Sequence, residues 1–515
     1  MDFLGKEGNR MRKGSITVFF ALILSLMLAL VCTSIESVRM AAARTQILSS
    51  VDIGLYSLFG QYDRTLLKDY DLFFLNGSGG GQELNLAAVY DNLESYMKPV
   101  LKQNSQKLSV VQGGFTGYRL ATDEGGEVFY RQAVTYMKET LGAQGIQLLL
   151  NRFREKEEKV RQAEEAGEQA ENGGTLENYD SEMDAAARDS QAAGEQENSG
   201  SGELTDGSAG SSGNSSGDIS SGGGNPGGTV QTDVVNPIPI LRRIRNMSLL
   251  DLVVPAQKGI SENQVSKREL LSGRTKAEGM NMPGNVEADT SYSSQLLFQQ
   301  YLSDKLGSYM KPAGGGLSYQ MEYLLCGKDS DRENLKSVAR RLLLVREGIN
   351  FAGLLADSSK RMQVQALALA IASGFLIPPA AVIIEAALLF LWSFAESILD
   401  LRELLHGGKV PLVKNASNWQ LSLENLPYLM EGLDSQRRSA EDGMDYEDYL
   451  QILLLAEPKN RKLERGMDMV EACIRSSTGN TGFRLDHCIE AIEASVDVQA
   501  NRKKTFTVTK QYSYT

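Results

Sequence analysis

The side chains in this sequence whose types could do chemistry are two histidines, four cysteines and a few closely spaced acids. Two histidines, His406 and His487, are too few for a multi-histidine metal site. His487 stands between Asp486 and Cys488. A catalytic cysteine and histidine meet in space rather than in sequence, however, so each histidine reads as a surface or turn residue. Cys473 and Cys488 could form a disulfide if their segments meet outside a membrane; the alternative is two buried free thiols. There is no CxxC, and so no zinc-ribbon or thioredoxin signature. The pairs Asp69/Asp71 and Asp442/Asp445 could offer oxygens to calcium. They lack the ligand density of an EF-hand loop and read as solvated turns. No GxSxG, Walker or GxGxxG pattern falls between a strand and a helix. The triple glycines beginning at Gly79, Gly222 and Gly314 sit in polar loops. The expectation is a protein with no catalytic, cofactor-binding or metal-ligating residues, and hence not an enzyme.

The stretch that organises the rest is residues 15–35, SITVFFALILSLMLALVCTSI, which carries no charge. About twenty apolar residues suffice to cross a bilayer as a helix. A cleaved signal has a shorter apolar core, and here the helical pattern runs on through residues 36–50. Ala41, Ala42 and Ala43 could serve a signal peptidase, but they lie inside that pattern. A retained transmembrane anchor is the preferred reading. Lys6, Arg10, Arg12 and Lys13 precede it, and basic flanks stay in the cytoplasm. The expected localisation is therefore the cell membrane, single-pass, with the N-terminus cytoplasmic and the bulk of the chain extracytoplasmic. Membrane lipid is the first expected partner. The net charge of −12 argues against nucleic acid, because phosphate binding needs clustered Lys and Arg. A mean hydropathy of −0.25 excludes a polytopic membrane protein.

The domain organisation follows from composition. Residues 1–14 form a cytoplasmic basic leader and 15–35 the transmembrane helix. Residues 36–163 form an amphipathic helical neck and the first part of an outer domain. Val38, Ala41, Ala42, Ile47, Leu48, Val51, Leu55, Leu58 and Phe59 give one apolar face, with Gly54 a weak point and Gly60 a stop. Residues 164–233 are a Gly/Ser/acidic insertion of too little apolar content to fold. Residues 234–515 form the second part of the outer domain, with an apolar helical hairpin at 364–399 and a C-terminal β-hairpin at 483–515. The hairpin at 364–399 is split by Pro378 and Pro379 and contains Glu385; a buried position is preferred over membrane insertion. Segments 249–254 and 319–325 read as strands. Segment 107–120 reads as one or two strands with a bulge or turn at Gly113 and Gly114. Segments 331–357, 446–455 and 459–475 read as helices. The fold class is α+β: a long N-terminal transmembrane helix, then a helix-rich extracytoplasmic domain with antiparallel strands.

Arg12-Lys13-Gly14 followed by Ser15-Ile16-Thr17-Val18-Phe19, then Tyr62-Asp63-Arg64 and the bulky run at 70–75, resemble the TadE/TadG-like pseudopilin-related proteins. These belong to bacterial tight-adherence (Flp-type) pilus loci, and the likeness is to their large, uncharacterised clostridial-type members. The resemblance is specific over about the first 75 residues. It implies prepilin-type processing between Gly14 and Ser15, and a structural or accessory role in a pilus or secretion assembly, with other pilus or membrane-assembly proteins as partners. In that family the fifth position after the glycine is Glu; here it is Phe19, and the first later acid is Glu36. That departure implies a minor, priming or surface-exposed subunit, or an unprocessed anchored protein, rather than a major pilin. The alternative is an anchored cell-surface binding module without a pilus role.

Overall fold

The computed structural model describes residues 11–79, 81–102, 107–170, 235–284, 287–374, 377, 380–433, 435, 437–500 and 504–514. Helix α1, Met11–Phe59, is continuous. Its last turns bury Ala43, Ile47, Val51, Leu55, Leu58 and Phe59, mostly at the four-residue spacing that puts side chains on one face. The face packs on helix α3, Leu86–Lys102, through the matching series Val89, Leu93, Met97 and Leu101. Gly54 is the point of closest approach: a Cβ there would stand 2.7 Å from Met97 Cγ and 3.0 Å from Leu93 Cδ1. The glycine that looks like a weak point in the sequence is what lets the two helices close.

Beneath this pair lies a four-stranded antiparallel sheet. Strand β3, Cys488–Ala500, is its centre. Strand β2, Ser109–Leu120, lines one edge, in register from Ser109↔Gln499 to Leu120↔Ile489. On the other edge β1, Leu75–Asn76, pairs with the first residues of β3, and β4, Lys504–Ser513, pairs with the remainder. Segment 107–120 is thus one strand; its irregularities fall between Val110 and Gln112, Phe115 and Gly117, and Arg119 and Leu120. Ile492, Ala494, Val496, Val498 and Ala500 alternate along β3 and join the core with α1 and α3. Period-two burial of this kind is what a half-covered sheet requires.

Everything from residue 121 to 487 is inserted between β2 and β3. The two ends of the insertion meet, where Ala121 N–H donates to the Cys488 carbonyl at 2.8 Å. The described part of the insertion is mainly helical. It comprises α4 (Asp123–Ala170), α5 (Ile238–Arg245), α6 (Leu249–Val253), α7 (Tyr292–Lys305), α8 (Gln320–Cys326), α9 (Asp331–Ala356), α10 (Ser358–Gly374), α11 (Ala381–His406), α12 (Tyr446–Leu455) and α13 (Lys459–Thr478). Left-handed residues Glu124, Gly125 and Gly126 interrupt α4 near its start, and Gly142 breaks it again. Helix α9 begins on Ser330, whose side chain accepts from Glu333 N–H, the expected N-cap geometry.

Two strand expectations fail. Segments 249–254 and 319–325 lie in α6 and α8. Short apolar runs carry too few residues for their period to separate strand from helix. Helix α8 stops at Gly327, a left-handed C-cap with φ 59°. The apolar hairpin is α10 and α11, and α11 is mostly buried, as a core helix is. Its second half holds Glu396 and Asp400 fully buried. Arg346 of α9 donates to Asp400 Oδ2 through Nε and Nη2 at 3.0 and 2.8 Å, and Lys414 pairs with both acids. Asn350 Nδ2 donates to Asp400, and the Gln420 and Leu421 amides donate to Glu396. A buried ion pair is tolerated only when so satisfied. Pro378, Pro379, Asn501 and residues 171–234 lie outside the described residues. Of the 164–233 insertion, the first residues continue α4 to Ala170.

Position in the α1 seat decides what a mutation costs. Leu55→Ala should destabilise the detergent-solubilised chain by roughly 2–5 kcal/mol. Ile53→Ala, at a site 47% exposed, should change stability by no more than about 1 kcal/mol. Chemical denaturation measures both, and equal losses at the two sites would contradict this packing.

Candidate functional site

The feature with the clearest functional geometry is α1. Its two halves differ in one variable, cover. Phe19 is 61% exposed and Leu26 65%, whereas Ile47 and Val51 are fully buried. The uncovered apolar part spans about 35 Å along the helix axis from Ile16 to Val38, enough for a hydrocarbon core of about 30 Å. By length and composition α1 is a candidate membrane span. Its hydroxyls fit an apolar setting. Ser25 donates to the Leu22 carbonyl at 2.8 Å, Thr33 to Leu30 at 2.9 Å and Ser34 to Leu30 at 2.8 Å. No donor on these side chains needs water. Gly14 and Ser15 lie in the first turns of α1.

The covered half is clamped from the far end of the chain. Phe59 packs against Tyr512 at 4.7 Å and Tyr514 at 4.8 Å between ring centroids. Tyr514 donates its hydroxyl to the Phe59 carbonyl at 2.6 Å, one of the carbonyls a helix end leaves open. Gln46 Nε2 donates to the Val100 carbonyl, and Lys510 pairs with Asp52. The rod is therefore held on two sides, by α3 and by β4.

The other residues singled out in the sequence are scattered. His406 sits in the last turn of α11 with Nδ1 2.7 Å from the Arg402 carbonyl. His487 is buried in a single turn before β3, and burial lowers its pKa, which keeps the ring neutral. Cys473 and Cys488 are free thiols, so the disulfide is not formed here. Each has its own partner: Gln320 Nε2 donates to Cys473 Sγ at 2.8 Å, and Cys488 Sγ lies 3.6 Å from the Arg484 carbonyl. Both are packed as core residues on different elements, α13 and β3. Asp71 is the left-handed C-cap of α2 (Arg64–Tyr70) and pairs with Lys305. Asp445 caps α12 in a reciprocal capping box with Asp448. Among the described residues no group of three or more His, Cys, Asp or Glu is placed to hold a metal ion.

Two buried polar clusters escaped the sequence reading. One is the Arg346–Asp400–Glu396–Lys414 cluster described above, signalled only by two acids one turn apart on an apolar helix. The other joins Arg274 to Glu471 and Asp486 at 2.6 Å each. Burial by itself would raise the Asp486 carboxyl; Arg484, the Ala277 amide and Arg274 outweigh it and hold the group at about 2. Both clusters tie distant segments together.

The model of a family described as of unknown function, DUF5702, matches residues 228–500. That range takes in the inserted helices from α5 onward and β3, but not α1. No curated protein and no solved structure matches the chain.

One buried acid gives the inserted domain a pH signature. Glu322 is fully buried, and Oε1 accepts from the Tyr309 amide at 2.8 Å and the Tyr446 hydroxyl at 2.9 Å, while Oε2 has no partner among the described residues. Burial pushes its pKa up to about 7, against the two hydrogen bonds. The folded carboxyl holds its proton more tightly than the unfolded one, so stability falls as pH rises from the ordinary carboxylate range through 7. Glu322→Gln should match the parent's unfolding free energy near pH 4.5 and exceed it at about pH 8 by on the order of 3 kcal/mol, melting higher there. A variant that melts below the parent at the higher pH would contradict this.

Proposed function

We propose, for a chain that belongs to the DUF5702 family, the role of a membrane-anchored, pilin-like structural or accessory subunit in a tight-adherence type pilus or secretion assembly. One observation carries the reading: α1 is a single helix with a bare apolar half and a half seated on an antiparallel sheet. A bare apolar stripe of that length needs either lipid or other helices around it. A continuous helix transmits the position of one half to the other, which an assembly subunit needs and a simple tether does not.

The basic residues at and before the start of α1 support a cytoplasmic N-terminus, with the sheet and inserted helices outside. Phe19, where the resembled pattern has Glu, supports a minor, priming or surface-exposed subunit over a major one. The role this reading assigns is one of contact. A second reading, a surface binding module held by the anchor, draws support from the inserted domain. Its ends meet at Ala121 and Cys488, so a large body is displayed without disturbing the sheet beneath it.

A photoreactive residue in place of Leu26 separates the two. In native membranes the assembly reading expects covalent adducts with a second copy or with another long-helix subunit. Adducts with lipid alone would favour the binding module.

A further inference from the structure

Five exposed cations gather at one end of the seat of α1. They are Arg39 and Arg44 on α1, Lys102 at the end of α3, Lys107 just before β2 and Lys504 at the start of β4. None of them forms an ion pair among the described residues. Deeper in the seat the cations are matched, Lys98 with Glu94 and Lys510 with Asp52. The excess at this end runs against a chain whose net charge is −12.

Contacts within the seat bring the five to one level. Helix α3 runs antiparallel to α1: Leu93 and Met97 face Gly54, and the Val100 carbonyl accepts from Gln46. Lys102, just beyond Val100, therefore comes level with Arg44. Strand β4 runs alongside α1 in the same direction, because Tyr512 and Tyr514 meet Phe59 while Lys510 pairs with Asp52. From Lys510 back to Lys504 the strand extends about 20 Å, the rise of about thirteen helical residues. That brings Lys504 level with Arg39. Lys504 pairs with Ala500 on one side of β3, and Ser109 with Gln499 on the other, so Lys107 stands at the same end of the sheet.

That end is where α1 leaves the fold. Val38, 69% exposed, closes the bare apolar half, and Ala43 is already buried. Arg39 and Arg44 lie within about 9 Å of Val38 along the axis. A headgroup layer of about 5–8 Å and the reach of an arginine stem cover that distance together. Glu36 is the only acid on α1 before Asp52. Lys102, Lys107 and Lys504 come from parts of the chain far from the span in sequence, where charge has little effect on orientation.

We propose that this basic collar binds the headgroups of anionic phospholipids in the leaflet from which α1 emerges, and so fixes the height of the sheet on the membrane. The proposal rests on the anchor reading of α1, which is what brings a bilayer to this end. Lys and Arg clustered directly beside a span are what anionic headgroups attract.

The test uses the full chain reconstituted in vesicles of phosphatidylcholine with a minor share of phosphatidylglycerol. A photoreactive residue replaces Ser109, exposed at the start of β2, or Leu26 in the bare half of α1. Mass spectrometry tells the two lipids apart in the adducts. At position 109 phosphatidylglycerol should exceed its share of the vesicle by about threefold or more, since each cation near the surface favours an anionic headgroup by roughly fivefold. Combining Arg44→Gln, Lys102→Gln, Lys107→Gln and Lys504→Gln, all at exposed sites, should return it to that share. High salt should do the same to the unaltered collar. A share at 109 that matches the vesicle from the start, or an excess that persists in high salt, overturns the collar. Adducts at 109 with protein alone, while 26 yields lipid, overturn it too and leave the anchor standing. No lipid adducts at 26 overturn the anchor reading and the collar with it.

Discussion

The structure depends on the seat of α1 on strand β3. Ile47, Val51 and Leu55 reach the sheet and α3 with almost no exposure, and they come from a helix whose other half is bare. Burying such side chains is worth about 1.5–3 kcal/mol each, and the close approach at Gly54 lets α3 share in it. Remove this seat and the apolar half has nothing to hold it in a fixed direction. The aromatic lock of Phe59, Tyr512 and Tyr514 closes the seat at its lower end. Helix α1 and the last strand are thereby one packing unit.

That arrangement makes the chain's order intelligible. The first strands and the last two build one sheet, and a helical domain is threaded between β2 and β3. Because its ends meet at a backbone hydrogen bond, the insertion need not disturb the register of β3. The inserted domain is stabilised by its own means, a large apolar core and buried ion clusters with every acid paired. Such clusters add little net energy over apolar packing, yet they penalise any misplacement of the segments they join. The family match, which takes in the inserted helices and β3 but not α1, follows the same division.

Much of this was legible in the sequence wherever an element was long and strongly periodic. The helix continuing past the apolar run, the stop at Gly60, helix α9 and the terminal hairpin all carry local signals. The two short runs taken for strands do not, because six or seven residues fit either period. Helix α11 was ambiguous for a different reason. Its apolar composition passes for a span, and the cations that neutralise its acids are remote in sequence, Arg346 lying 54 positions from Asp400. The meaning of Gly54 was likewise invisible without its partner helix. For the candidate site, the exposed half of α1 could be read from composition, whereas the aromatic lock required knowing that residues 512 and 514 return to residue 59.

The central claim is that the bare and the seated halves of α1 both persist in the mature protein, as an assembly and membrane element. The most direct measurement is the first residue of the mature chain, read by peptide mass spectrometry from native membranes. The account predicts a start at Ser15, with the bare and seated halves of α1 both retained. An intact Met1 would keep the anchor and remove the pilin-like processing. A start just after Ala43 would discard the bare half, release the outer domain from the membrane and contradict the account.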